Sequence, residues 1–172
     1  MAEKELMHFA CAVDPRGYNT HFDAAGHGLA LYLGMANARQ KEKIEAYTGK
    51  IFEEIGSGLL PAFWPVIMPE NQEWLSLKEN YSYEFKNKPH NFHNGGIWPV
   101  WMGFFGLGMS LAGNSNIAET MLNSWMEIEN PKEPRFSEYI ASDTLKPGGK
   151  QRLSYSASGL LFLIQATKHN NR

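Results

Sequence analysis

Hydrophobic and polar positions follow two patterns along this chain, and the two patterns take turns. Over 24–37 nearly every position is small or apolar (Ala24, Ala25, Gly28, Leu29, Ala30, Leu31, Leu33, Gly34, Ala36), which predicts a helix buried on most of its sides. Asp23 stands where an N-cap would precede it. From Gln40 to Ile55 the pattern changes: Ile44, Tyr47, Ile51, Phe52 and Ile55 recur at helical spacing among Lys41, Glu42, Lys43, Glu45, Lys50, Glu53 and Glu54. That is an amphipathic helix with one wet face, closed by Gly56. Positions 96–112 are again apolar all round, with Pro99 suited to a first helical turn and Gly103, Gly106 and Gly108 allowing close helix approach. Gly113-Asn114 ends that helix, and Ser115 or Asn116 caps an amphipathic one whose stripe is Ile117, Ala118, Met121, Leu122 and Trp125. A last apolar helix is predicted over 152–167, with Leu153, Ala157, Leu160, Leu161, Phe162, Leu163 and Ile164. At the other end, residues 2–11 read as the last turns of a further helix, and 14–19 as a turn by its Pro, Gly and Asn content.

Buried and amphipathic helices thus alternate, outer, inner, outer, inner, outer, inner. Short links near 37–40 and 113–115 leave the inner helices, whereas the outer ones reach the next inner helix through long segments at 12–23, 56–95 and 129–151. All three long loops must then emerge at one end, over the N-termini of the inner helices. This is the geometry of an all-α toroid with its cleft at the loop end.

Composition narrows the partners. Net charge is −2 with no run of like charges, which removes the electrostatic case for nucleic acid or an anionic membrane surface. The apolar stretch 97–112 is about 16 residues long, carries Pro99 and glycines, and lies between Asn94 and Asn114; a membrane span needs about 20. The single cysteine, Cys11, cannot form an internal disulfide and reads as an inert thiol. No apolar stretch in Met1–Leu6 suggests a signal peptide. Together these predict a cytoplasmic protein that binds a small ligand.

The chemistry concentrates in His90-Asn91-Phe92-His93-Asn94-Gly95-Gly96-Ile97-Trp98-Pro99-Val100-Trp101. Two glycines allow a sharp turn and close backbone approach, and Trp98 and Trp101 carry flat apolar faces, as a sugar-binding turn requires. His90 and His93 have no Cys, Asp or Glu at a recognised ligand spacing, so no metal is expected. Lys146-Pro147-Gly148-Gly149-Lys150 lacks the order of a phosphate loop and reads as a flexible rim.

Lys86-Asn87-Lys88-Pro89 followed by His93-Asn94-Gly95-Gly96-Ile97-Trp98-Pro99-Val100 resembles the Lys-Asn-x-Pro…His-Asn-Gly-Gly-x-Trp-Pro-Val stretch of the neutral/alkaline invertases, glycoside hydrolases built on an (α/α)6 toroid. Asp23-Ala24-Ala25-Gly26-His27-Gly28-Leu29-Ala30 is similar to that family's Leu-Gly-Asn-x-x-Ala helix start, and Pro61…Pro65…Pro69…Trp74 to its Pro-and-Trp loop. Phe136-Ser137-Glu138-Tyr139 resembles its Pro-Glu-Tyr-Tyr, and Gly149-Lys150-Gln151…Tyr155-Ser156-Ala157-Ser158-Gly159 its Gly-Lys-Gln…Gln-Thr-Trp-Ser-x-x-Gly. His27 replaces an asparagine, Ser137 a proline and Ile140 the second tyrosine, which leaves the sugar open.

The resemblance covers nearly the whole chain but only the C-terminal half of the family's. It implies that 1–172 is a single domain, half of an (α/α)6 toroid, whose exposed side is apolar and must be covered by an N-terminal half or a second copy. It also implies hydrolysis of a small glycoside, sucrose-like or another gluco- or mannoside, by inversion and without a cofactor. Two carboxyl groups roughly 6.5–9.5 Å apart do this, one protonating the leaving oxygen and the other activating water. By its motif and its loop, Glu138 is the general base, with Tyr139 orienting it or stacking on sugar. His93, Asn94 and the Gly95-Gly96 backbone bond sugar hydroxyls, Trp98 packs on a ring face, and Gln151, with Arg152, faces the ligand. Trp101 fills the core, and Trp64 and Trp74 anchor loops. No position matches the family's acid; Asp23 reads as an N-cap. The alternative is a non-catalytic carbohydrate-binding or scaffold half-toroid that lacks the acid.

Overall fold

The computed structural model describes residues 6–15, 17–79, 83–129 and 132–168. Residues 2–5 of the predicted first helix, Arg16 of the predicted turn, Tyr81 of the aromatic loop and 130–131 of the last long loop lie outside these. The fold is all-α: helices α1 (Ala24–Tyr32), α2 (Ala38–Ile55), α3 (Trp74–Glu79), α4 (Pro99–Leu111), α5 (Asn116–Ile128) and α6 (Ser154–Lys168). The strands are two or three residues each. β1 (Ala12–Asp14) pairs with β2 (Gly17–Asn19), β3 (Phe22–Asp23) with β4 (Phe63–Trp64), and β5 (Tyr139–Ile140) with β6 (Pro147–Gly148), all antiparallel. Among the described residues no helix is long and apolar enough to cross a membrane.

The helix boundaries follow local chemistry. Asp23 caps α1 by accepting from Ala25 N at 3.0 Å. The helix stops well short of position 37, because Leu33 caps it and Gly34 takes φ +68°. Asn37 and Gln40 form a reciprocal capping box at the start of α2, and Gly56 closes it in the left-handed region. Gly96, Ile97 and Trp98 are extended rather than helical, since Ile97 pairs with Ile140, so α4 begins at Pro99. The long connection 57–95 holds the one-and-a-half-turn α3, for which its pattern shows no period.

Two expectations are corrected. Residues 6–11 are not helical: Phe9 N donates to His27 Nε2 at 3.0 Å and Cys11 N to Asn19 O at 2.9 Å. Backbone donors that a helix would use internally are turned sideways, onto α1 and the β1–β2 hairpin. The first outer helix is therefore absent from these residues. Nor is α1 buried all round. Ala24, His27, Gly28 and Leu31 are buried, but Leu29 and Tyr32 are exposed.

Helix α4 is central, packing most extensively against α6 on one flank and α1 on the other. Both contacts depend on glycine. A Cβ on Gly103 would collide with the Gly159 backbone of α6, and one on Gly108 would stand 2.7 Å from the Gly28 carbonyl oxygen of α1. Ser110 Oγ also donates to Ala166 O at 2.7 Å across α4 and α6. Helix α5 lays Ala118 and Met121 over Gly106, and α2 contributes Ile44 and Ile51 to the same core.

The loops that lead into α1 and α4, and the one between α5 and α6, are joined by backbone hydrogen bonds. Ala24 N donates to Ala62 O (3.0 Å), Ala62 N to Gly96 O (2.9 Å), and Ile97 and Ile140 exchange a pair (2.8 and 2.9 Å). The three long loops thus meet at one end, as the alternation predicts.

Buried His27 lies 4.3 Å from the Phe22 ring and donates from Nδ1 to Asp23 O at 2.6 Å. Burial, opposed only in part by the Asp23 carbonyl, pulls its pKa down from 6.5 to about 4. The unfolded chain therefore takes up a proton at a higher pH than the native one. Stability should be complete above about pH 6.5 and fall by roughly 3 kcal/mol on going down to pH 4, with no further loss from this group below that. Urea titrations across this range should record that slope, and His27→Gln should flatten it. In the same assay Gly103→Ala should cost roughly 1–3 kcal/mol by overpacking. Gly49→Ala, where a Cβ on α2 meets nothing within 4 Å, should instead stabilise by about 0.5–1 kcal/mol.

Candidate active site

The segment 84–98 folds as a compact turn whose backbone enters the left-handed region at His90 (φ 65°), Phe92 (φ 50°) and Gly95 (φ 88°). Asn94 holds it. This side chain is 2% exposed, accepts from Ile67 N at 2.7 Å and donates to Ile67 O and Asn87 O. Its hydrogen bonds go to backbone on both sides, so it shapes the turn. Gly95 and Gly96 are buried as well. A Cβ on Gly96 would strike Phe92 backbone, and the Gly96 carbonyl accepts from Ala62 N. The turn needs these glycines for its own closure.

Trp98 is the N-cap of α4 and is 7% exposed. Its Nε1 donates to Phe92 O at 2.8 Å, and the imidazole of His93 stacks on it at 4.5 Å with planes 5° apart. Tyr139 and Tyr155 lie near-parallel to the indole at 6.3 and 6.2 Å. The indole is thus the inner member of an aromatic wall. The exposed ring is that of His93. Burial, opposed by the charge of Glu138, holds the His93 pKa below the usual histidine range.

Glu138 arrives from the segment between α5 and α6. Its amide donates to Lys150 O at 2.7 Å, and its Oε2 accepts from Lys150 N at 3.0 Å. Tyr139, expected to orient the carboxylate, donates its hydroxyl instead to Asn91 Oδ1 at 3.3 Å. Burial first, and then the negative charge of Glu138, raise the pKa of both phenols. A cleft of about 290 Å³ opens here, lined by Glu138, Tyr139, Phe92, Asn91, Lys86, Lys88 and Glu84 among others. The Lys86 ammonium stands 5.8 Å from the Phe92 ring centroid. A larger groove of about 510 Å³, at the far end of α4, is lined by Lys41, Glu42, Glu45 and Asn114 and holds no aromatic ring.

The remaining predicted residues divide. Gln151 is exposed, three positions ahead of α6, and does not line the cleft; Arg152 beside it is exposed with φ 60°. Trp101 is 36% exposed on α4 rather than inside the core. Trp64 and Trp74 do anchor loops: Trp64 Nε1 donates to Glu54 Oε2 at 2.7 Å, and Trp74 meets Phe85 edge-on at 5.4 Å. Asp23 is the N-cap it was expected to be. His90 Nδ1 pairs with Ser142 Oγ at 3.0 Å, tying the two site loops together. Among the described residues no three His, Cys, Asp or Glu side chains are grouped to hold a metal ion.

The pattern reading gave no role to Asn91, Lys86 or Tyr155. Tyr155 carried a usable signal, because it opens an inner helix as Trp98 opens another, and aromatic rings at those two starts must come together if the helices do.

The profile of a family described as Alkaline and neutral invertase matches residues 3–169. The chain is also 26% identical over 144 residues to neutral/alkaline invertase 1, mitochondrial, of Oryza sativa subsp. japonica. That match covers 83% of this chain and 22% of the rice protein, so the chain spans well under half the length of this relative. With the His-Asn-Gly-Gly turn and the Glu138 loop meeting at one cleft, and the family profile running through both, the chain belongs to the alkaline and neutral invertase family.

Proposed function

We propose that this chain is the base-bearing, C-terminal half of an (α/α)6 toroid glycoside hydrolase, acting on a small glycoside such as a sucrose-like sugar or another gluco- or mannoside. The observation that carries this reading is the setting of Glu138. Its carboxylate accepts from Lys150 N and borders a cleft walled by Tyr139 and Phe92. A carboxylate held by a backbone donor on one side and open on the other can take a proton from a water as that water attacks the anomeric carbon. A partner carboxylic acid protonates the leaving oxygen. Asp23 is committed to capping α1, so the acid comes from the N-terminal half. The reaction requires only these two groups and water, with no cofactor, and the lone half-buried Cys11 suits a reducing compartment such as the cytoplasm.

The side of the inner helices left uncovered supports the missing half. Tyr32, Phe104 and Phe162 form a row of ring contacts across α1, α4 and α6 (5.5 and 6.1 Å), with Leu29, Trp101, Leu111 and Leu161 exposed on the same helices. An apolar surface of this kind is a docking face for another chain segment. The isolated chain should therefore scatter light as a species heavier than 19.4 kDa, and Leu161→Glu should return it toward that mass. A monodisperse monomer before the substitution counts against the half-toroid.

Glu138→Gln in the natural full-length protein should lower kcat by about 10²–10⁴ with little change in sugar affinity. Retained turnover would rule out Glu138 as the base. Sugar binding with no turnover in either protein would favour a carbohydrate-binding or scaffold role.

A further inference from the structure

The loop Lys146-Pro147-Gly148-Gly149-Lys150 reads from the sequence as a flexible rim, yet it is paired with the segment that carries Glu138. Pro147 and Gly148 pair with Ile140 and Tyr139, Glu138 N donates to Lys150 O at 2.7 Å, and Leu153 N donates to Phe136 O at 3.1 Å. This ribbon is also fastened to the helices. Ile140 exchanges bonds with Ile97 ahead of α4, and Ser156 Oγ of α6 donates to Ser137 O at 2.8 Å. The backbone of Glu138 is thereby fixed, and only its side chain is left to be placed. We propose that the Gly149-Lys150 peptide is the positioning element of this site: its N–H holds the Glu138 carboxylate, and Gly149 keeps clear the space that the carboxylate fills. This rests on the reading of Glu138 as the general base.

Two observations meet at this peptide. Glu138 Oε2 accepts from Lys150 N at 3.0 Å, and a hydrogen bond to a charged oxygen is stronger than one between neutral groups. Gly149, one residue before that donor, has φ +70°, and a Cβ on it would strike Oε2 and stand 2.7 Å from the Glu138 Cβ. The backbone there is held by the ribbon on either side of the glycine. What can give way is the end of the glutamate side chain, so a side chain at 149 displaces the carboxylate and leaves the fold in place. Gly56 supplies a matched comparison. Its φ is +68°, but a Cβ on it meets nothing within 4 Å. Alanine at 56 therefore brings the same backbone strain without touching the site.

The test has two arms. In this chain, the Lys150 amide proton should resonate upfield of its wild-type position in Glu138→Ala, while the Ile97 amide, bonded to Ile140, keeps its place. An unmoved Lys150 amide overturns the proposal. This arm needs no substitution at 149, so it decides the matter if Gly149→Ala does not fold. In the natural full-length protein, Gly149→Ala should lower kcat about tenfold, the effect of one charge-assisted hydrogen bond, while KM changes by less than about twofold. Gly56→Ala should leave both constants unchanged at a similar cost in melting temperature. Unchanged kcat in Gly149→Ala, or a tenfold rise in its KM alone, overturns the proposal, and an equal loss of kcat in the two variants assigns the effect to strain and overturns it as well. If the Lys150 amide responds to Glu138→Ala but the full-length protein hydrolyses no glycoside, the hydrolase reading falls while the bond to the carboxylate stands.

Discussion

Where α4 crosses α6, backbone meets backbone. Gly159 lies against the carbonyl of Pro99 and the backbone of Gly103, with no room for a Cβ on either glycine. Pro99 is the first residue of α4, and Gly159 is about one turn into α6. The contact therefore brings the starts of the two helices together, Trp98 on one and Tyr155 on the other. Widening it by a single methyl group would separate the indole from the phenol. On the opposite flank Gly108 and Gly28 set the distance between α4 and α1. The candidate site thus inherits its dimensions from glycine contacts well inside the helical layer.

The loop end has a different problem, which is the pairing of buried backbone groups outside regular structure. It is met by bonding loop to loop: Ala24 to Ala62, Ala62 to Gly96, and Ile97 to Ile140. Asn94 closes the gap between the turn at 84–98 and the segment around Ile67, where an apolar side chain would leave Ile67 N and O unpaired. Ser142 N adds a bond to His90 O, linking the His-Asn-Gly-Gly turn to the Glu138 loop. The loops that carry the candidate chemistry are therefore cross-braced to one another as well as to their own helices.

Much of the helical frame was legible because it rests on periodicity and short-range chemistry. The charged spacing around Ile44 and Ile51, the glycine at 56, and the stripe through Met121 and Trp125 are all visible one residue at a time. The placing of the long loops followed from the alternation of helix types. Residues 6–11 misled because Leu6, Phe9 and Ala10 have helical spacing, whereas their conformation is decided by His27 and Asn19, which no local pattern reveals. At the site, the motif marked the right neighbourhood but could not separate side chains that build the turn from those that face the cleft. Asn94, Gly95, Gly96 and Trp98 are the most recognisable residues and also the most buried. Tyr155 went unassigned because its ring partner Trp98 is distant in sequence, and only the packing of α6 on α4 brings the two together.

Two glutamates of the same segment show what separates a structural carboxylate from a candidate base. Glu129 is 8% exposed, and its Oε1 accepts from the backbone N–H groups of Arg135 and Phe136. That oxygen is fully engaged inside the loop, which it holds in shape ahead of Glu138. Glu138 also has a backbone donor, but it is a single one, Lys150 N on Oε2, and the carboxylate borders the cleft. A general base must be restrained enough to keep one orientation and open enough to take a proton from water. A wholly buried carboxylate with backbone donors satisfies only the first requirement, and an untethered surface glutamate only the second. Of these two, only Glu138 joins a single backbone donor to a place on the cleft wall.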